Sequence, residues 1–252
     1  MKNRTFIYST TIIALFLIVV YSCKKDEVNP INQTNGKTTA IFNKSLTYGT
    51  MTDQEGNIYK TITIGTQTWM AENLRTTNYR NGDAINNVIG NKDWIKLATD
   101  AYCKYDNTSD NIGIASRGLL YNFYAVIDER NIAPMGWHIP TDAEWTTLVN
   151  SLGGDSIAGG KMKEHGTTHW LSENIGATNE SGFTSLPCGW RDNYYGIFEA
   201  IDYDVFYWSS TEDDNNFAWY RYLNYDLSSI GRFSESVGDK NSGFSVRCIK
   251  DL

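Results

Sequence analysis

The strongest helical signal in this 252-residue chain is confined to one stretch, Thr141 to Leu152, so most of the rest has to be built from short strands and loops. Thr141 and Glu144 have the S/T-x-x-E spacing of a capping box, in which each residue satisfies an orphan amide of the first turn. Trp145, Leu148, Val149 and Leu152 then fall on one face at helical spacing. Gly153-Gly154 supplies the left-handed stop. A second short helix is expected from Ile157 to His165, and a helical turn from Leu119 to Ile127.

Elsewhere the period is two. Ile58–Ile64 and Gln67–Met70 are β-rich runs around Gly65-Thr66, which predicts a hairpin. Phe206–Trp208, Phe217–Leu223, Ser229–Phe233 and Phe244–Ile249 read as further strands joined by turn-rich segments. Short strands, long loops and two helices predict an α+β domain. The content of 8 Trp, 16 Tyr and 10 Phe, with 21 Gly and only 4 Pro, suits a β-rich domain with large binding surfaces.

The first residues are of a different kind. Lys2 and Arg4 precede an apolar segment whose densest run is Ile12–Val20, shorter than the about 20 residues a bilayer core needs. A basic start, a short apolar run and a small residue before a cut are the marks of a secretory signal peptide. Val20-Tyr21-Ser22-Cys23 resembles a lipobox, with Cys23 the residue that takes the lipid. Tyr21 is bulkier than the usual occupant. Lys24-Lys25-Asp26-Glu27 resembles a surface-export signal of lipoproteins. The expected organisation is therefore a signal peptide over 1–22, a lipidated N-terminus and flexible tether over 23–50, and one domain over 51–252. The expected location is the outer membrane, anchored by lipid, with the surface-exposed arrangement favoured over a periplasm-facing one.

The net charge of -7, from 22 basic and 29 acidic residues, disfavours nucleic acid as a partner, because phosphate neutralisation wants a basic face. Beyond Cys23 there are three cysteines, Cys103, Cys188 and Cys248. One disulfide among them is expected outside the cytoplasm, with Cys248 the favoured member and the pairing open.

No nucleophile elbow or phosphate loop is present. His165 and His169 are four apart, but Gly166-Thr167-Thr168 between them argues against a shared helical face. Glu144 is explained by its cap. Glu212-Asp213-Asp214-Asn215-Asn216 offers the oxygens that calcium takes from a loop, and is equally a solvated hairpin turn. Gly189–Gly196 mixes aromatic and polar side chains. The candidate ligand residues are Trp190, Asp192, Tyr194, Tyr195, Asp213 and Asp214. Flat apolar rings beside oxygen-rich groups match a sugar, which shows a C–H face and a rim of hydroxyls. The competing reading places Trp190 in the core. A non-catalytic module binding glycan or protein is expected, with calcium as a conditional ligand. An enzyme is the alternative.

Five ordered motifs carry a family resemblance: Ile64–Leu74, Gly136–Trp145, Ala177–Phe183, Tyr207–Glu212 and Gly243–Cys248. In this order they resemble the Fibrobacter succinogenes major paralogous domain, from about residue 52 onward. Pro140-Thr141-x-Ala143-Glu144-Trp145 and Gly243-Phe244-x-x-Arg247-Cys248 are also similar to the sulfatase-modifying-factor group. That similarity implies a C-type-lectin-like architecture: short twisted antiparallel strands, two helices and long loops. Ala133 stands where many members carry a cysteine, and Cys188 where a small residue is usual, so the family implies no safe disulfide here.

Overall fold

The computed structural model describes residues 32–252. The segment expected as a signal peptide over 1–22 and the expected lipid-bearing Cys23 lie outside the described residues. Among the described residues no helix is long and apolar enough to cross a membrane.

The hairpin forms as its sequence requires. β1 (Gly49–Thr52), β2 (Ile58–Ile64) and β3 (Gln67–Met70) run antiparallel, with Ile64 opposite Gln67 across the Gly65-Thr66 turn. Two short segments complete this sheet in the order β1-β2-β3-β12-β6. They are β6 (Trp137–His138) and β12 (Ile249–Lys250), and Ile249 lies between Trp69 and His138. The second sheet contains β7 (Cys188–Arg191), β8 (Phe198–Ile201), β9 (Asp204–Glu212), β10 (Ala218–Asn224) and β11 (Gly231–Phe233). Its order is β11-β10-β9-β7-β8, antiparallel except where β7 meets β9. A two-stranded ribbon joins β4 (Tyr102–Cys103) to β5 (Leu120–Tyr121). The fold is α+β.

There are more helices among the described residues than the two expected. α1 (Asn91–Trp94), α2 (Asn111–Arg117) and α3 (Phe123–Val126) are short. Only α4 (Asp142–Ser151) and α5 (Asp155–Met162) have the length the pattern predicted. α4 has both halves of its capping box: Thr141 Oγ accepts from the Glu144 amide at 3.2 Å, and Glu144 Oε2 accepts from the Thr141 amide at 2.8 Å. It ends where Gly153 and Gly154 take positive φ and the Gly154 amide bonds back to the Val149 carbonyl. Trp145, Leu148 and Val149 are buried as the stripe predicted. α5 stops at Met162, short of His165. Its Gly159-Gly160 pair has a steric reason: a Cβ on Gly159 would lie 2.1 Å from the Ser229 carbonyl oxygen, and one on Gly160 would lie 2.3 Å from that of Gly176.

The segment expected as one helical turn, Leu119–Ile127, divides. Leu120-Tyr121 is drawn into a ribbon, and Asn122 then caps α3 by accepting from the Ala125 amide at 3.1 Å. Phe244–Ile249, expected as one strand, is regular only from Ile249; before it, Phe244 and Ser245 make single bridges to Tyr121 and Tyr207.

Three further expectations are corrected. Residues 32–48 do not form a free tether. Asn35 Nδ2 donates to the Gly56 carbonyl at 2.9 Å, and the Ile41 amide donates to Glu164 at 2.5 Å. Asn43 Nδ2 donates to the Asn179 carbonyl at 3.0 Å, so the ordered body begins at least as early as Asn32 rather than Met51. Cys103, Cys188 and Cys248 are free thiols, all buried in places where none meets another. Burial pushes the Cys103 thiol up to about 12 and the Cys188 thiol up to about 11.

Two large apolar clusters fill the interior. One surrounds Trp208, Phe244, Tyr121 and Phe123; the other surrounds Trp69, Trp145, Phe183 and Tyr207. In each, aliphatic side chains surround aromatic rings that meet mostly at tilted or edge-on contact, for example Trp208–Phe244 at 4.3 Å and Trp69–Trp145 at 4.7 Å between centroids. Four arginines, Arg75, Arg191, Arg221 and Arg247, are buried in the domain. Each is stacked on a ring or bonded to a carboxylate, as buried charge requires.

Candidate binding cleft

The residues singled out from the sequence have different fates. Trp190 is 7% exposed and packs its ring 5.4 Å from Phe206 and 6.0 Å from Phe244, so it belongs to the core. Asp192 is also buried, and its carboxylate accepts from the Tyr194 amide at 3.0 Å and from the Tyr195 amide, which shapes the turn between β7 and β8. That turn leaves Tyr194 and Tyr195 at 73% and 66% exposure, edge-to-face with centroids 5.2 Å apart.

The acidic cluster forms the turn between β9 and β10. Asp214 accepts from the Asn216 and Phe217 amides at 2.7 and 2.8 Å, and these bonds hold its carboxyl below the usual range. Asp213 accepts from the Ser234 hydroxyl at 2.8 Å. Both carboxylates therefore serve nearby chain groups, and among the described residues no group of His, Cys, Asp or Glu is placed to hold a metal ion.

A cleft of about 590 Å³ opens where β9, β10 and β11 meet the segment after β11. Phe206, Tyr220 and Tyr222 line it from β9 and β10, and Trp219, Arg232 and Phe233 complete its aromatic and basic lining. Ser234, Glu235 and Ser236 form a polar side. Strand register explains the arrangement. Tyr222 pairs with Phe206 and Tyr220 with Phe233, so these rings project to one face. The pairing shifts between Ala218 and Tyr220, a bulge whose extra residues lie on β9, and the Trp219 ring stacks on Arg232, the partner of Arg221. Phe233 remains 51% exposed.

The polar groups of the cleft are fixed. Tyr222 donates its hydroxyl to Asp204 at 3.0 Å; burial, reinforced by that carboxylate, pushes the phenol well above its ordinary value. Burial also pushes the Tyr220 phenol up to about 12. The Arg232 guanidinium lies 3.6 Å from the centre of the Trp219 ring and binds Asp142 through Nε at 3.0 Å and Nη2 at 2.8 Å. Asp142 is shared with the buried Arg221, whose Nη1 lies 2.6 Å away. Burial acts to raise the Asp142 carboxyl, but the bonds from Arg232 and Arg221 outweigh it and hold the group below its usual range.

Of the expected ligand residues, none lines this cleft. Asp213 touches its rim through Ser234. The sequence reading missed Trp219, Tyr222, Arg232 and Phe233. The available signal was the aromatic run Trp219-Tyr220-x-Tyr222 ahead of Arg232-Phe233, but a run of rings does not tell which face of a strand is covered.

A second polar constellation lies elsewhere. His169 Nδ1 is 2.7 Å from the buried Glu164 carboxylate, and its Nε2 is 2.9 Å from Thr39 Oγ. The order hydroxyl–imidazole–carboxylate matches a nucleophilic set in spacing. Here every partner is bound into the chain's own packing. Thr39 binds Ser116 through both its amide and its hydroxyl, and the other Glu164 oxygen accepts from Ile41. The set clamps residues 39–41 onto the body.

Comparison with curated proteins and with solved structures returns no match. Residues 62–250 match the Fibrobacter succinogenes major domain, and with most of its length so covered the chain belongs to that family.

Proposed function

We propose that this protein is an envelope lipoprotein, anchored through Cys23 to the outer membrane and exposed at the surface, whose domain is a non-catalytic glycan-binding module of C-type-lectin-like architecture. The observation that carries the binding reading is the cleft where β9, β10 and β11 meet the segment after β11. The half-buried Tyr222 ring and the exposed Phe233 ring line it together with Trp219, Arg232, Glu235 and two serines. Aromatic faces stack on the C–H face of a pyranose while the polar rim takes its hydroxyls. Two strand-rich sheets with helices and long loops are in keeping with a lectin-like scaffold, and binding residues collect on segments held by such a scaffold.

The alternative is an enzyme, either a hydrolase or a relative of sulfatase-modifying factors, and the latter calls for reactive cysteines ionised near neutral pH. The buried Cys188 and Cys248 thiols are both pushed up instead, which weighs against it.

A glycan array with the detergent-solubilised lipoprotein tests the reading. Binding is expected, and is expected to fall at least tenfold in Trp219→Ala and Phe233→Ala with melting temperatures near that of the parent. Undiminished binding by both variants overturns the cleft. Calcium and a chelator, applied to the parent protein, test whether a metal bridges the ligand.

A further inference from the structure

Resting on the glycan-binding reading, we infer that the cleft selects amino sugars, and that it holds the ammonium of a hexosamine between the Tyr222 and Phe233 rings and the Asp204 carboxylate. The two faces of the second sheet decide which groups a ligand meets. Side chains two apart on a strand share a face. Asp204 therefore stands on the face of Phe206, and register sets it opposite Asn224, two residues beyond Tyr222. Phe233 joins this face opposite Tyr220. Arg232 alternates to the other face, where its guanidinium binds Asp142, so β9, β10 and β11 send no cation to the cleft side.

Two accessible rings form the walls. The half-buried Tyr222 ring lies 5.0 Å from that of Phe206. The exposed Phe233 ring leans back over Gly231, the residue paired with Tyr222, so that a Cβ at Gly231 would run into Phe233 Cε2. The missing side chain brings the Phe233 ring alongside Tyr222. An ammonium set against such ring faces is attracted by their quadrupoles.

The carboxylate stands at the Tyr222 end. The Tyr222 hydroxyl donates to Asp204 Oδ1 at 3.0 Å, and Asn224 Nδ2 donates to the same oxygen at 2.6 Å. Oδ2 has no hydrogen-bond partner among the described residues and is not sealed from solvent. Burial pushes this carboxyl up, the bonds from Asn224 and Tyr222 oppose it, and Asp226 adds a like charge. A cation at Oδ2 relieves both burial and repulsion. Glu235, exposed on the polar side, borders the cleft with a second carboxylate, and the net charge of -7 attracts cations at long range.

A hexosamine satisfies these walls together. Its ring covers the aromatic faces, its ammonium makes a charge-assisted bond to Oδ2, and its hydroxyls meet the polar side. An N-acetylated sugar keeps the ring and leaves the carboxylate without a cation.

The test uses the detergent-solubilised lipoprotein in mildly acidic buffer with oligomers of glucosamine and of galactosamine. Each is compared with its N-acetylated form, which keeps the sugar and removes the charge. For at least one, acetylation is expected to weaken binding by about tenfold or more, the order of one charge-assisted pair. Raising the salt should weaken the amine and leave the acetylated form unchanged. Asp204→Asn keeps an acceptor for Tyr222 and Asn224 and should erase most of the preference. Glu129→Gln removes the same charge from the turn after α3 and should leave the preference whole. Should Asp204→Asn fail to fold, the parent protein answers. Its preference should fade as the pH falls through the raised Asp204 value, because protonation removes the anion while the ligand keeps its ammonium. If no amine binds more tightly than its acetylated form, or folded Asp204→Asn retains the full preference, or the parent's preference survives that acid titration, the inference is overturned. Phe233-dependent binding of acetylated or neutral glycans alone also overturns it while the glycan-binding reading stands. Spermidine supplies the cation without the sugar. Binding of spermidine but of no glycan overturns the inference and the glycan-binding reading together, as does binding of none of these ligands.

Discussion

The Arg247 guanidinium donates from Nε to Asn73 Oδ1 at 2.6 Å, tying the last segment of the chain to the loop that follows β3. The same guanidinium donates to the carbonyls of Met70 at 3.1 Å, Phe183 at 2.5 Å and Thr184 at 3.0 Å, and stacks 4.4 Å from the centre of the Phe183 ring. Two segments distant in sequence, residues 70–73 and 183–184, therefore converge on one buried cation from the last segment. Arg247→Met leaves four acceptors without a donor in a dry interior. A loss of about 3–5 kcal/mol is expected, the range for breaking a buried charged network. Arg247→Lys should recover only part, since an ammonium cannot span the planar fork. Denaturant melts check this; a midpoint within experimental error of the parent would show that these acceptors find other partners.

His138 bridges two carboxylates, with Nδ1 2.7 Å from Asp251 and Nε2 2.8 Å from Glu144. Burial acts to lower the imidazole, but the bonds to Asp251 and Glu144 outweigh it and the folded value stands above 6.5. Its contribution to stability is therefore complete below the unfolded value and is lost as the pH rises through the folded one. Glu144 works in the opposite sense. Burial acts to raise its carboxyl, and the Thr141 amide and His138 more than reverse this, so its contribution is lost as the pH falls through its depressed value. Stability attributable to the pair should peak between those two values and decline as the pH rises through the raised imidazole value. His138→Gln should flatten the alkaline side of the profile. Thermal melts from pH 4 to 9 decide, and identical profiles for parent and variant would remove His138 from the account.

The clamp on the N-terminal segment predicts a local effect. His169→Ala removes one of the two partners of Thr39 and the imidazole facing Glu164. Net hydrogen-bond contributions are about 0.5–1.5 kcal/mol each, so a loss of roughly 1–3 kcal/mol is expected. Hydrogen exchange should accelerate at Ile41 and its neighbours well before the β2–β3 hairpin. Uniform acceleration over the whole domain would mean that the clamp is part of the global unfolding unit.

The three buried thiols predict a simple labelling pattern. Cys103, Cys188 and Cys248 should resist alkylation in the native protein, because burial both shields them and suppresses their thiolate form. After denaturation without reductant all three should react. A pair that stays unlabelled until reduced would show a disulfide that the geometry does not contain.

The sequence alone determined those parts whose causes are local. The bounds of α4 follow from Thr141, Glu144 and Gly153-Gly154, all within hydrogen-bond reach of the helix they delimit. The β2–β3 hairpin follows from alternation around Gly65. The family follows from ordered motifs that survive as linear text. Tertiary structure decided the rest. Polar residues 32–48 read as a tether because composition is the same whether amides bond to water or to protein; their partners lie far away, as with Thr39 and His169. Trp190 and Tyr194 share one loop-like stretch, yet β7 turns the first into the core and the second into solvent. The cleft exists only because β10 and β11 pair in one register, which sets Phe233 opposite Tyr220 and Arg232 beside an aspartate on another element. A strand's alternation specifies two faces; which face is buried, and what its charged residues meet, depends on elements that approach from elsewhere in the chain.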